Sequence, residues 1–459
     1  MKRTYLSMLM AIAMIASGAM TFSSCEKDPA NGGENTENNG GGNNEDNNED
    51  NNDDSGNQED NQGGSENAGD YIDVKAGEDL QAAIDGASAG QTVRVQGGAT
   101  FEGNYKFIEG VNVSGGWSAD FKSCDPENYT VIDCKSSGRA WEQHRIKNAE
   151  GVYEDYVTPT IISGFELKNG NEENGGGAWI RKNGILENCY IHDCYAKSSG
   201  AGVRVETGGI VRNCIISNNT CDNNGGGAYV YGTLEYCEIT FNKANNNCGG
   251  GAQIHGAGKV INCTIAKNSA KNGGGLRVYD NNGMIAGCLI VGNTIGESGK
   301  LSGSGIVLNG NCSIINCTIV GNISNAAVDT QYGPGLYFGN GGTDSPVKNC
   351  VIWGNLHSGD ASGRQIKGTR TGIERCAVAG GDSVDPYVID LSYTEETDGD
   401  RPAPGFVSAK SNIFRLKSGS PLIDKGDKAF LSEDFTKDID GEARVSGTQV
   451  DLGAFEYQN

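Results

Sequence analysis

The chain has 459 residues, of which 71 are glycine and 36% are hydrophobic, so it lacks the material for the core of an ordinary globular domain. Its net charge of −23 argues against duplex nucleic acid as a partner. The 15 cysteines include no Cys-x-x-Cys pair, which argues against a zinc site.

The N-terminus has the pattern of an export signal. Lys2 and Arg3 precede an apolar stretch from Leu9 to Met20, which is too short and too early for a spanning helix. The stretch ends in Phe-Ser-Ser-Cys at 22–25, which resembles the lipobox of bacterial lipoproteins. That resemblance implies that residues 1–25 are a lipoprotein signal peptide and that Cys25 is lipidated. We therefore expect an outer-membrane lipoprotein, exposed at the cell surface, that contacts the membrane only through this lipid.

Residues 26–70 consist almost wholly of Asn, Gly, Ser and Gln with fourteen acidic residues and one lysine. Such a segment buries too little apolar surface to offset the entropy of ordering. It is predicted to be a disordered acidic tether.

Residues 71–160 are predicted to hold an N-terminal cap and the first, irregular coils of a solenoid. Leu80, Ala83, Ile84 and Ala87 have helical spacing between two short strand patterns. An open solenoid end exposes apolar core, so a short capping helix is expected there. This N-terminal pattern of a short helix between two strands resembles the N-terminus of many pectin-lyase-like β-helices. An insertion is expected from about 136 to 156.

A seven-residue motif, Asn-Cys-x-Ile-x-x-Asn, recurs at 213–219, 262–268, 316–322 and 349–355, with degenerate copies between. A period near 25 residues fits one coil of a parallel β-helix. Two short apolar alternations per coil, separated by Gly and Asn, support strands rather than helices. The fold class is therefore predicted as all-β, a right-handed parallel β-helix with regular coils over 161–380.

The Gly-Gly-Gly-Ala clusters and the Asn-Cys-x-Ile-x-x-Asn motif together resemble the repeats of polymorphic outer-membrane proteins. More broadly, they resemble right-handed β-helix repeats of the pectin-lyase-like superfamily. The resemblance covers roughly 71–380 and implies the fold without identifying an activity.

Two residue columns are predicted to be structural. One cysteine per coil should lie inside as a small hydrophobic residue: Cys189, Cys214, Cys237, Cys263, Cys288, Cys317, Cys350 and Cys376. The last asparagine of each motif should form a ladder of stacked amides at left-handed turns, beginning after Cys194. Outside the cysteine column, Cys124 with Cys134 and Cys221 with Cys248 are the disulfide candidates.

Residues 381–459 break the repeat and are predicted to close the last coil. Their ending resembles the C-terminal segment of choice-of-anchor bacterial surface proteins. Asp438 and Asp440 are possible calcium ligands in this segment, and no other cofactor is expected.

A strip of outward-facing side chains is the candidate site. Strand alternation places seven such residues on consecutive coils: Trp179, Arg204, Tyr229, Tyr231, His255, Arg277 and Tyr279. Aromatic faces and planar donors suit an extended glycan. The alternative is that these side chains shield neighbouring strands and act only in stability.

The sequence thus predicts a cell-surface lipoprotein whose β-helix presents an extended carbohydrate-binding or adhesive surface. Its expected partner is a polysaccharide or a host or environmental glycan. The alternative is a polysaccharide lyase acting on a uronate-containing glycan, with Tyr231, His255 or Tyr279 as base and Arg204 or Arg277 neutralising the carboxylate. A passive envelope component is a third possibility. No residue is assigned as catalytic.

Overall fold

The chain winds into a parallel β-helix. The computed structural model describes residues 69–296, 303–325, 333–339, 341–357, 365–368, 372–378, 406–408, 413–416, 418–433 and 435–458. In these ranges each regular coil contributes one short strand to each of four parallel sheets, here named A to D. The predicted all-β parallel fold is confirmed, and its right hand stays a prediction. Cys25 and nearly all of the tether lie outside the described residues.

Sheets A and B have twelve and eleven strands within the described ranges. The strands of sheet A are Tyr71–Val74, Thr92–Gln96, Asn112–Trp117, Thr160–Ser163, Gly184–Glu187, Ile210–Arg212, Thr233–Glu235, Lys259–Ile261, Gly283–Ala286, Cys312–Ile315, Val347–Lys348 and Ile373–Glu374. Those of sheet B are Thr100–Glu102, Thr130–Asp133, Phe165–Lys168, Tyr190–His192, Ile215–Ser217, Glu238–Thr240, Thr264–Ala266, Leu289–Val291, Thr318–Val320, Val351–Trp353 and Ala377–Val378.

Sheets C and D have ten and eight strands over the same part of the chain. The strands of sheet C are Tyr105–Phe107, Trp141–Gln143, Ala178–Ile180, Val203–Val205, Ala228–Val230, Ala252–Ile254, Leu276–Val278, Ile306–Leu308, Leu336–Phe338 and Ile366–Lys367. Those of sheet D are Asn171–Asn174, Tyr195–Ser199, Thr220–Cys221, Lys243–Cys248, Ser269–Asn272, Thr294–Ile295, Ile323–Ser324 and Leu356–His357.

The cap and the insertion are both present. The helix Leu80–Gly86 begins at Asp79, whose side chain accepts from the Ala82 amide, and it buries Leu80 and Ile84. The insertion is smaller than predicted, because Trp141–Gln143 already belongs to sheet C. What protrudes is a two-stranded antiparallel hairpin, Ile146–Lys147 with Tyr153–Glu154.

The cysteine column is confirmed as core. All eight side chains are at most 1% exposed, and the sulfur of Cys376 accepts from the Cys350 amide of the preceding coil at 3.3 Å. The two disulfide predictions are wrong, since all four thiols are free. Cys221 pairs in register with Ala244, so Cys248 lies four residues beyond the position opposite it. Cys124 instead directs its sulfur to the Gly115 carbonyl.

The asparagine ladder is confirmed as a buried structural column, with each member at most 1% exposed: Asn219, Asn242, Asn268, Asn293, Asn322 and Asn355. Asn268 is typical, because its Nδ2 donates to the Ile239 carbonyl (2.8 Å) and to Asn293 Oδ1 (3.0 Å). The ladder begins after Cys194, whose amide donates to Asn219 Oδ1. It ends on Gln365, whose Oε1 accepts from the Asn355 amide at 2.8 Å.

The left-handed turns fall at other residues than predicted. The asparagine before each cysteine has positive φ, for example 53° at Asn213 and 50° at Asn262. The second left-handed turn falls one residue before the ladder, at Asn218 and at Lys267, which both have φ of 57°. The ladder asparagines are therefore selected for their amides, and the asparagines before cysteine for their backbone conformation.

The glycine clusters have two separate causes. Gly225, the first of its cluster, has φ of 65°, which disfavours residues with a Cβ. A Cβ on Gly227, the third, would lie 2.7 Å from the Gly251 carbonyl oxygen and 2.8 Å from the ladder amide of Asn242. Glycine thus lets successive coils approach at the turn that leads into sheet C.

The described part of the C-terminal segment packs along the flank of sheet B, and its closing of the last coil stays a prediction. Outward residues of the later coils are apolar and pack against apolar residues of this segment: Leu289, Val291, Val320, Val351 and Trp353 with Leu416, Leu422, Leu452 and Phe455. Polar contacts fix the arrangement, since Asn316 Nδ2 donates to the Asp451 carbonyl at 2.8 Å. The sequence prediction lacked this contact because it depends on the outward positions of sheet B, which become apolar only in the later coils.

The calcium prediction gains no support from the geometry. Asp438 Oδ1 accepts from the amides of Asp440 and Glu442, and Asp440 forms an ion pair with Arg415 at 2.6 Å. Within the described residues, no three His, Cys, Asp or Glu side chains are grouped so that they could hold a metal ion. No helix in the described part of the chain is both long and apolar enough to span a membrane.

Candidate functional site

The candidate site is the outer face of sheet C and is built from two columns. The middle residue of each three-residue strand points outward, because its neighbours Ala228 and Val230, for instance, are fully buried. Parallel register then aligns the first column: Trp179, Arg204, Tyr229, Gln253 and Arg277. The residues that follow the strands form the second column: Arg181, Glu206, Tyr231, His255 and Tyr279. We call these two columns the sheet C strip.

Four of the predicted residues form a stack of rings. The His255 ring centroid lies 4.5 Å from that of Tyr229 and 5.0 Å from those of Tyr231 and Tyr279. Tyr229 and Tyr231 meet edge to face at 5.7 Å. These spacings suit favourable ring pairs. The structure therefore brings residues from three consecutive coils into one aromatic surface.

His255 is not the solvent-facing side chain that alternation predicted, since it is only 5% exposed. Its Nδ1 donates to Asp280 Oδ2 at 2.8 Å, and its Nε2 lies 2.7 Å from Gln253 Nε2. Burial lowers the pKa of His255, although Asp280 opposes that shift. The neutral imidazole, with its proton on Nδ1, fits both contacts.

The tyrosines of the stack differ in access. Tyr279 is 49% exposed, while Tyr229 and Tyr231 are partly buried. Burial, reinforced by the neighbouring Tyr231, raises the pKa of Tyr229 well above its ordinary value. Tyr229 is therefore a neutral hydroxyl at physiological pH, and Tyr279 is the ring most available to a ligand.

Trp179 is enclosed by cations at the other end of the strip. The guanidinium carbons of Arg181, Arg139 and Arg204 lie 4.2, 4.8 and 5.0 Å from its ring centroid. Its Nε1 donates to Glu206 Oε1 at 3.0 Å. The indole ring is thus occupied by cation–π contacts within the protein. Of the two readings of the strip, shielding describes Trp179 better than ligand stacking does.

Two carboxylates pair with these three cations. Glu206 forms an ion pair with Arg204 at 2.6 Å. Glu142 pairs with Arg139 at 2.8 Å and with Arg181 at 3.2 Å. The three arginines and two glutamates around Trp179 are thus connected by charge-assisted contacts within the protein.

Arg277 belongs to the opposite end of the strip. Its Nε donates to Asn309 Oδ1 at 2.9 Å, and its guanidinium carbon lies 4.9 Å from the Tyr279 ring centroid. Arg277 therefore packs against the exposed Tyr279 ring.

Three members of the site were missed by sequence reasoning: Arg139, Glu142 and Asp280. The first two belong to the coil before the regular repeats, where the hairpin insertion hides the strand Trp141–Gln143. Asp280 directly follows Tyr279, beyond the two columns that alternation defines. Asp280 could have been found from its spacing of one coil after His255, because that spacing places its carboxylate beside the imidazole.

No protein-family model matches the chain, and no curated protein matches it. Several solved structures are similar. Pectate lyase Pel9A has a TM-score of 0.48 and 15% identity, covering 83% of this chain and 91% of that one. Alginate lyase AlyGC has a TM-score of 0.30 and 14% identity, covering 76% and 57%. Pectin methylesterase from Aspergillus niger has 0.27 and 12%, covering 66% and 91%. At such TM-scores the function rests on the chain's own geometry.

Proposed function

We propose that this protein is a surface lipoprotein, anchored through Cys25, that binds an extended glycan along the sheet C strip. The observation that carries the proposal is the ring stack of Tyr229, Tyr231, His255 and Tyr279. These rings come from three coils about 4.8 Å apart, a spacing close to the length of one hexose unit. A sugar chain lying along the helix axis would contact Tyr229 and Tyr231 in one coil and Tyr279 two coils later, with the buried His255 packed between them.

The contacts favour binding over β-elimination. A lyase needs a base with an available lone pair near the substrate. Nε2 of His255, one of the candidate bases, lies 2.7 Å from Gln253 Nε2 in a buried position. Arg204, one candidate for neutralising a uronate, already pairs with Glu206. His255 and Arg204, two of the candidates for a lyase, are thus already engaged by other side chains of the protein.

Affinity electrophoresis of the full chain, in gels that contain a soluble polysaccharide, tests the proposal. We expect at least one polysaccharide to slow the protein. We also expect no ultraviolet-absorbing unsaturated products after prolonged incubation. Unsaturated products that disappear in His255→Ala would establish the lyase instead. Absence of binding to every polysaccharide would refute the proposed function.

The anchor is tested separately, because the motif at 22–25 and the acidic 26–70 segment are its only support. Cys25→Ala should move the protein from the membrane fraction to the soluble one. Cys124→Ala, which removes an exposed thiol from the folded part, is the matched control and should not change partitioning. Unchanged partitioning of Cys25→Ala would contradict the anchor.

A further inference from the structure

We infer that the sheet C strip selects a neutral glycan over a polyuronate or a sulfated one. This inference rests on the proposed function and specifies its ligand class. It follows from how the charges of the strip are paired.

The arginines around Trp179 already contact carboxylates within the protein. Arg139 and Arg181 share Glu142, and Arg204 is held by Glu206. A ligand carboxylate would have to displace one of these carboxylates from a charge-assisted contact. The ligand carboxylate would also lose its hydration. Its attraction to a cation that is already paired does not offset that cost in free energy.

The accessible end of the strip adds a negative charge. The Asp280 side chain is 46% exposed and adjoins Tyr279, the most exposed ring. His255 adds no compensating charge while it is neutral. Arg277, at the same end, donates to Asn309 Oδ1 at 2.9 Å and packs on the Tyr279 ring. A polyanion lying on the rings would pass close to the Asp280 carboxylate.

What the strip offers instead suits hydroxyl-rich, uncharged sugars. Tyr229, Tyr231 and Tyr279 provide apolar faces for the C–H sides of sugar rings and phenolic groups that donate or accept hydrogen bonds. The chain's net charge of −23 further disfavours accumulation of a polyanion at its surface.

The experiment compares soluble neutral polymers (a β-glucan, a mannan and a xylan) with acidic ones (polygalacturonate, alginate and chondroitin sulfate), using the full chain at low and high salt. We expect binding to at least one neutral polymer that does not weaken with salt. Salt-sensitive binding to acidic polymers alone would overturn this inference and leave the proposed function standing. No binding to either class would overturn both.

Charge unmasking supplies an independent test. Glu142→Gln with Glu206→Gln keeps amide acceptors for Trp179 and the arginines but removes both carboxylates. We expect this variant to gain salt-sensitive affinity of about tenfold for the acidic polymers. Glu187→Gln, which breaks an equivalent ion pair with Arg212 on sheet A, should gain none. A folded double variant without that gain would contradict the inference.

Discussion

His255 and Asp280 are joined by a hydrogen bond of 2.8 Å from the imidazole Nδ1 to the carboxylate Oδ2. They come from successive coils, so the bond ties the ring stack to the next coil. Burial nevertheless dominates the pKa of His255, which is lowered. The site is thus built around a neutral histidine.

The first prediction concerns pH. Because the pKa of His255 is lower in the folded chain, protons bind preferentially to the unfolded chain as pH falls below about 6.5. The stability that the neutral ring contributes is present above that pH and is lost below it. His255→Gln should therefore reduce the loss of unfolding free energy between about pH 7 and 5. His144→Gln, at an exposed position, is the control. An unchanged slope in His255→Gln would show that the ring is not held neutral.

The second prediction separates the two ends of the strip. Tyr279→Ala should weaken glycan binding about threefold to tenfold with little change in melting temperature, because the ring is half exposed. Trp179→Ala should instead lower the unfolding free energy by about 2 kcal/mol, because three arginines pack on the indole. Calorimetry and affinity electrophoresis measure the two effects. A Trp179→Ala variant that loses binding but keeps its stability would reverse this assignment.

The fold was predictable because its causes recur once per coil. Each cysteine, each ladder asparagine and each glycine cluster occupies an equivalent position in every coil. The repeat alone was therefore enough to predict the strands and the buried columns. The ring stack was predictable in membership, because alternation places Tyr229 and Tyr279 outward. The burial of His255 was not, because it depends on Gln253, Asp280 and three rings from different coils.

The flank position of the C-terminal segment was hidden for another reason. Leu289 and Val351 face outward from sheet B, in the column where earlier coils have Tyr190 and Glu238. Apolar side chains that point away from the solenoid core require a cover. That change of character along one face is visible in the sequence once the register is known.

The third prediction tests the asparagine ladder. Asn268→Ala removes a fully buried amide that makes contacts to both neighbouring coils. We expect a loss of about 1–3 kcal/mol or more of unfolding free energy, because backbone groups are left unsatisfied. Asn223→Ala, at an exposed turn, should have little effect. Chemical denaturation measures both, and equal effects would argue against a structural ladder.

The fourth prediction tests the flank contact. Val351→Asp places a charge at a fully buried position between sheet B and the C-terminal segment. We expect faster amide exchange in 435–458 while the strands of sheets A and D keep their protection, because the interface opens before the solenoid does. Thr240→Asp, on the same sheet outside the covered region, is the control. Uniform loss of protection would show that the segment is integral to the coils.

The fifth prediction concerns pH at that segment. Burial raises the pKa of Glu456 to about 7. Because the folded chain holds this proton more tightly, the stability from protonated Glu456 is present below about pH 4.5 and is lost as pH rises through about 7. Glu456→Gln should remove this dependence of amide exchange in 435–458. An equal dependence in wild type and variant would assign the effect to other groups.

The most direct test of the proposed glycan surface is the affinity of Tyr231→Ala with Tyr279→Ala for the neutral polysaccharide that binds wild type best. We expect a loss of affinity of tenfold or more, which corresponds to about 1.4 kcal/mol from two ring contacts, in a variant that stays folded. Tyr195→Ala, which removes a tyrosine from sheet D, should bind like wild type. Undiminished binding by the folded double variant would contradict the account.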